Sequence, residues 1–148
     1  MIRALAFAIA ACASALAIDA GAAPQIQNAW MRPALAGTSI DAYADVITER
    51  PLTLARVRTP LARAVEIVVL DPRDPGDKPK VVDKLALKAG ETRFALKGSV
   101  LRLVDLRSTV TIERPVPLAF EFVDDAGETS VVEILVQVRG LLPPKPAQ

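Results

Sequence analysis

The residues that could carry chemistry are few, and most of them are carboxylates. The chain of 148 residues has no His and a single Cys, Cys12. That excludes Ser-His-Asp and Cys-His catalysis, His-bearing zinc sites and CxxC redox chemistry within this chain. No P-loop, GxGxxG, GxSxG or HExxH pattern occurs. Asp71, Asp74 and Asp77 stand three apart beside Gly76. Calcium takes several carboxylate and carbonyl oxygens from loops. The Asp-x-Asp-x-Asp-Gly spacing is absent, however, and Arg73 and Lys78 offset the charge, so the run reads as a solvated loop. Asp124 and Asp125 read as turn residues rather than an acid/base pair. An enzyme working through Asp71, Asp74 or Glu66 is one functional reading, but nothing in the pattern arranges these groups around a cleft. Lys+Arg total 18 against 17 Asp+Glu, which lacks the basic footprint of a nucleic-acid binder.

The N-terminus predicts export. Met1-Ile2-Arg3 is a short positive region, Ala4 to Ile18 is an almost unbroken apolar run, and Ala20-Gly21-Ala22 fits the small-x-small cleavage rule. Residues 1–22 are therefore expected to be a signal peptide, leaving a periplasmic mature chain. The run is shorter than the roughly 20 apolar residues a spanning helix needs. No other segment qualifies, so the mature chain is expected to be soluble. Ile9-Ala10-Ala11-Cys12 also resembles a lipoprotein box, which would make Cys12 a lipidated first residue. With cleavage near Ala22 the mature chain has no Cys, so no disulfide holds it and the core must. About 125 residues bury roughly two-thirds of their unfolded surface, which suffices for one domain.

The elements that must position any site are strands. Twelve prolines interrupt the chain, and proline breaks helix interiors and central strands. Short runs rich in Val, Ile, Leu and Thr lie between them. In Ser130–Arg139, Val132, Ile134, Val136 and Val138 fall on one side and Glu133, Gln137 and Arg139 on the other, with Leu135 an apolar exception. Leu118, Phe120 and Phe122 alternate likewise, and Asp124-Asp125-Ala126-Gly127-Glu128 joins the two runs as a hairpin turn. Further strands are expected over 27–32, 39–48, 53–58, 64–70, 81–87, 92–96 and 100–106. The spacing of the turns predicts an all-β sandwich or barrel over 23–140. Residues 141–148, with Pro143, Pro144 and Pro146, are expected to form an extended, mobile tail.

Four ordered segments resemble the periplasmic copper chaperone family known as PCuAC. They are Ile26-Gln27-Asn28-Ala29-Trp30-Met31-Arg32-Pro33; Ala42-Tyr43 with Leu54 and Thr59-Pro60-Leu61-Ala62-Arg63-Ala64-Val65-Glu66-Ile67; Leu85-Ala86-Leu87-Lys88-Ala89-Gly90-Glu91-Thr92; and Val116-Pro117-Leu118-Ala119-Phe120-Glu121-Phe122. Together they span nearly the whole expected mature chain. The resemblance implies a cupredoxin-like, immunoglobulin-like Greek-key β-sandwich. It also implies a non-enzymatic role near copper delivery or respiratory-oxidase assembly.

The family's copper ligands, in a pattern close to His-x10-Met-x21-His-x-Met, do not carry over. The resemblance places the first His at Val68, the first Met at Pro79, the second His at Val100 and the second Met at Arg102, with one residue fewer around Lys97-Gly98-Ser99. A further Met of some members falls near Leu70. Cu(I) selects thiolate, thioether and imidazole ligands, and Met31 is the one soft donor after residue 22. No metal or other cofactor is therefore expected in the monomer. On Val65–Leu70, Val65, Ile67 and Val69 share one face; on Val100–Leu106, Leu101 and Leu103 do. If those faces fill the core, Val68, Leu70, Val100 and Val104 lie outside around Arg102. They form either an exposed patch for a periplasmic protein partner or a minor core under a loop. Glu66 is placed to pair with Arg102, and Trp30 and Tyr43 to pack in the core or at its edge. An alternative keeps copper in play, with a partner supplying the missing ligands.

Overall fold

The runs are rich in Val, Ile, Leu, Phe and Thr, and prolines and turn residues keep each run short, so the chain pairs as strands. The structure is a computed structural model and describes residues 23–140. The expected signal peptide, with Cys12, and the tail 141–148 lie outside the described residues. Within them the chain forms ten strands and no helix: β1 (Gln25–Met31), β2 (Ile40–Thr48), β3 (Leu52–Arg58), β4 (Ala62–Val69), β5 (Lys80–Val82), β6 (Leu85–Leu87), β7 (Gly90–Phe94), β8 (Val100–Leu106), β9 (Val116–Val123) and β10 (Thr129–Val138). Among the described residues no helix is long and apolar enough to cross a membrane.

Hydrogen bonds run in the order β5-β4-β8-β2-β1-β10-β9-β3-β6, with β7 on the second half of β2. The path folds over into two halves around one core. Met31, Val46, Leu101 and Leu103 from the first half join Leu54, Leu118, Phe120, Phe122 and Val136 from the second in a single buried cluster. The halves meet where the end of β10 lies parallel to β1, pairing Trp30 with Gln137 and Met31 with Val138. The fold is all-β, as the turn spacing predicts, and a two-sided sandwich around one core, as the resemblance implies.

The β9–β10 hairpin follows its sequence closely. Val116, Leu118, Phe120 and Phe122 point inward with Val136 and Val138, and Leu135 sits outward, 63% exposed. Asp124 closes the turn: its Oδ1 accepts from the Ala126 and Glu128 amides at 2.9 and 2.8 Å, and Gly127 takes φ 80°.

Two features depart from the expected strands. The run 81–87 is two strands, because Val82 pairs with Ile67 in one half whereas Leu85–Leu87 pair with β3 in the other. The chain crosses the sandwich at Asp83-Lys84, two exposed charged residues. The other is a β-bulge in β1, where Gln27 pairs with Asp45 but Trp30 with Tyr43, so Asn28 and Ala29 together face Ala44. Asn28 takes φ 53°, and its side-chain Nδ2 donates to Asp45 Oδ2 at 2.9 Å. The extra residue inverts the alternation. Ile26 and Ala29 pack against the core, Met31 is fully buried in it, and Trp30 turns outward.

A positive φ costs most side chains roughly 1–2 kcal/mol, Asn and Gly less. Asn28→Val is therefore expected to lower unfolding free energy by about 1–2 kcal/mol, with Asn28→Gly close to wild type, in urea melts. Phe120→Ala should cost about 3–5 kcal/mol in the same assay.

Candidate functional site on the outer sheet face

In β4, β8, β2 and β1 one set of side chains fills the core, and the other stands on the outer face. Ile67, Leu101, Leu103, Ala42 and Met31 belong to the first set. The second begins with Val68, which lies directly opposite Val100 on β8 and opposite Val81 on β5. Val68 and Val100 pack with Tyr43, and Trp30 packs against all three as a second buried cluster. The Trp30 and Tyr43 ring centroids are 4.6 Å apart with planes at 40°. The Arg139 guanidinium lies 5.8 Å from the Trp30 ring centre, within cation–π range.

A charged row runs beside this apolar one. Arg102 on β8 stands between Glu66 on β4 and Asp41 on β2. Its Nε donates to Asp41 Oδ1 at 2.9 Å. The ion pair expected with Glu66 is thus corrected: Asp41 takes the hydrogen bond, and Glu66 contributes its charge from the other side. The bond to Asp41, with the charges of Asp41 and Glu66, outweighs partial burial and keeps Arg102 firmly protonated. With both side chains about a third exposed, the pair contributes about 0–1 kcal/mol and orients rather than stabilises.

The positions singled out in the sequence all gather here. Arg102 follows Val100 by two residues on the same face of β8. Leu70 does so after Val68, its amide donating to Ser99 Oγ at 3.1 Å. Val104 stands opposite Ala64, and Pro79 immediately precedes β5. Their exposure differs from a uniform patch. Val68 and Val100 are only 2% and 7% exposed, so at these two positions the exposed-patch reading is corrected: they form a minor core, covered by Tyr43 and Trp30 rather than by a loop. Leu70, Arg102 and Val104 are half-buried, and Pro79 is exposed. The ring pair was not predicted. Its one signal was Asn28, a residue tolerant of positive φ, just before Trp30.

This donor set does not fit a soft cation. Two valines, a proline and a guanidinium offer no lone pair to Cu(I). The thioether of Met31 is on the core side of β1 with no exposed surface. Among the described residues no three His, Cys, Asp or Glu side chains group around a metal position.

The other carboxylates serve their own loop. Asp77 accepts from the Asp71 amide at 2.8 Å, Asp71 from the Arg73 amide at 2.9 Å, and Asp74 from the Gly76 amide at 2.9 Å. These bonds, from Arg73 to Asp71 and from the Asp71 amide to Asp77, hold both carboxyls below the usual range. Each is used up as a turn acceptor, and none converges with Glu66.

No family model matches the chain, and no curated protein matches it. Among solved structures it is similar to the copper-bound PCuAC domain from PmoF2, at 20% identity over 81% of this chain and 97% of that one, with a TM-score of 0.57. It is similar to an apo PmoF2 PCuAC domain at 21% identity over 80% and 93%, TM-score 0.59. The apo PCuAC domain from PmoF1 aligns at 14% identity over 78% and 94%, TM-score 0.57. The chain has the fold of these domains; likeness at such identities speaks for the fold alone.

Tyr43, the sole tyrosine, reports on this face. Burial pushes its phenol above the ordinary value, the Asp41 charge adds to that, and Arg32 partly offsets it. Ultraviolet titration should find Tyr43 ionising later than a free tyrosine, with Asp41→Asn moving the midpoint down. Because the folded value is the higher one, Tyr43 contributes stability that is fully present below the ordinary tyrosine range. That contribution is lost as pH rises through Tyr43's own midpoint.

Proposed function

We propose that this PCuAC-fold chain is an exported, non-enzymatic β-sandwich protein that lacks the family's Cu(I) site and works through contacts with another periplasmic protein. One observation carries the reading. The two positions at which the resemblance sets histidines, Val68 and Val100, are directly paired on neighbouring strands and sealed under Trp30 and Tyr43. A pair of histidines in that register would share an ion; a pair of valines excludes water and any cation with it. Two residues along, Arg102 adds a fixed positive charge bonded to Asp41, and a like charge repels a metal ion.

The contact surface of this reading is the uncovered part of the same face. It comprises Leu70, Pro79, Arg102 and Val104, continued by Val81, which is 58% exposed. An apolar surface rimmed by arginine and carboxylates is the composition common at protein interfaces. The setting, copper homeostasis or oxidase assembly, is drawn from the fold and the ordered sequence segments.

The test is a Cu(I) titration of the purified chain against a competing chelator. No metal should be held at one ion per chain, and tight one-to-one binding by the chain alone would defeat the proposal. A companion variant carrying Val68→His, Pro79→Met, Val100→His and Arg102→Met restores the family pattern. It should gain one Cu(I) per chain; a folded variant that gains none breaks the assignment of these positions.

A further inference from the structure

One end of the sandwich combines exposed aliphatic side chains with an excess of arginine. Two loops meet there, 32–39 between β1 and β2 and 107–115 between β8 and β9. The Ala34 amide donates to the Val110 carbonyl at 3.2 Å and the Val110 amide to the Ala34 carbonyl at 2.8 Å, which ties the loops together. Close to this bridge along the chain stand Leu35, 69% exposed, and Ile112, 61% exposed. Neither belongs to the buried clusters or packs against them. A tight turn follows Leu35: the Thr38 amide and hydroxyl both donate to its carbonyl, at 3.2 and 2.7 Å, and Gly37 takes φ 82°.

The same two loops carry Arg32, Arg107 and Arg114 against a single carboxylate, Glu113. Among the described residues none of these arginines is in an ion pair. Arg63 and Asp105, just before the second loop, offset each other at 3.6 Å. At the far end of β9 the turn holds Asp124, Asp125 and Glu128. A chain of net charge +1 is thus polarised along its strands. The loop backbone is also occupied: the amides of Ala36, Gly37, Arg107 and Arg114 donate within the chain, and Pro33 and Pro115 have no amide hydrogen. Loops paired in this way put side chains into a lipid interface without stranding those backbone donors.

The geometry points to this end as a docking site for an anionic lipid surface, with Leu35 and Ile112 entering the headgroup layer and the arginines facing lipid phosphates. Interfacial binding adds buried apolar area to attraction by anionic lipid, and the two loops supply both together. A protein partner would have to fit two tips on separate loops across the roughly 800 Å² per side that a stable complex buries, whereas headgroups close around any tip. Docking here depends neither on whether the chain binds copper nor on the contact surface around Arg102.

Vesicle flotation tests this on the chain from Ala23 onward, whose core clusters lie wholly within the described residues. Vesicles of phosphatidylcholine alone are compared with vesicles holding about 30% phosphatidylglycerol. Each arginine near an anionic surface is worth about five-fold in binding, so three arginines against one glutamate predict about 25-fold stronger partition to the anionic vesicles. Arg107→Gln with Arg114→Gln should erase that gain, as should about 1 M salt, where charges are screened beyond about 3 Å. Leu35→Ser with Ile112→Ser should lower partition about ten-fold per side chain, with the urea midpoint unchanged because both residues are exposed. Val81→Ser with Arg73→Gln, an exposed aliphatic and an exposed arginine outside these loops, should leave partition as it was. Equal partition to the two vesicle types overturns the proposal and leaves this end to an acidic protein. A loss in the Val81 and Arg73 control as large as in the loop variants overturns it as well.

Discussion

Much of this molecule turns on one residue held at positive φ. Asn28 inserts an extra position into β1, its side-chain amide tied to Asp45. Were β1 to run without that insertion, Trp30 would continue the inward phase of Ile26, and Met31 would face out. The insertion reverses this. Met31 goes to the centre of the core, and the indole lies over Tyr43 and the two valines. The same event removes the one thioether among the described residues from the surface and supplies the lid that seals Val68 and Val100.

The outer face that results is organised as parallel rows across strands, one apolar and one of alternating charge. The apolar row gains its free energy from excluding water. The charged row gains little, since its groups are partly exposed, and serves to fix Arg102 between two carboxylates. One solved domain of the same fold is copper-bound, and Cu(I) asks for soft side chains. Here the row at which the resemblance sets such side chains is instead a small second core. The main cluster lies on the opposite side of the same strands, so it does not depend on what faces outward.

How much of this the sequence discloses follows from whether neighbours along the chain are also neighbours in space. The β9–β10 hairpin reads directly: each inward residue is two positions from the next, and Asp124 and Gly127 announce the turn. The partition of β4 and β8 into Ile67 and Leu101 inside, and Val68 and Val100 outside, was legible for the same reason. The run 81–87 was not, because its apolar residues satisfy a strand pattern in either half, and only pairing with β4 or β3 splits it. β3 shows a related limit: Leu54 and Val57 are both buried because the register shifts between Leu54 and Arg56, which alternation alone misses. The partner of Arg102 depended on which strand lies on its other side, and β2 is far away in sequence.

The parallel seam between β1 and β10 has a consequence for how the molecule comes into being. The first described strand has only one partner until the last has emerged, so Ile26, Met31 and the inward residues of β2 wait with one flank open. Contacts of such long separation form slowly. An interval in which apolar edges are accessible to chaperones, or to other copies, is thereby written into the order of the strands, and mutations that weaken residues 129–138 would lengthen it.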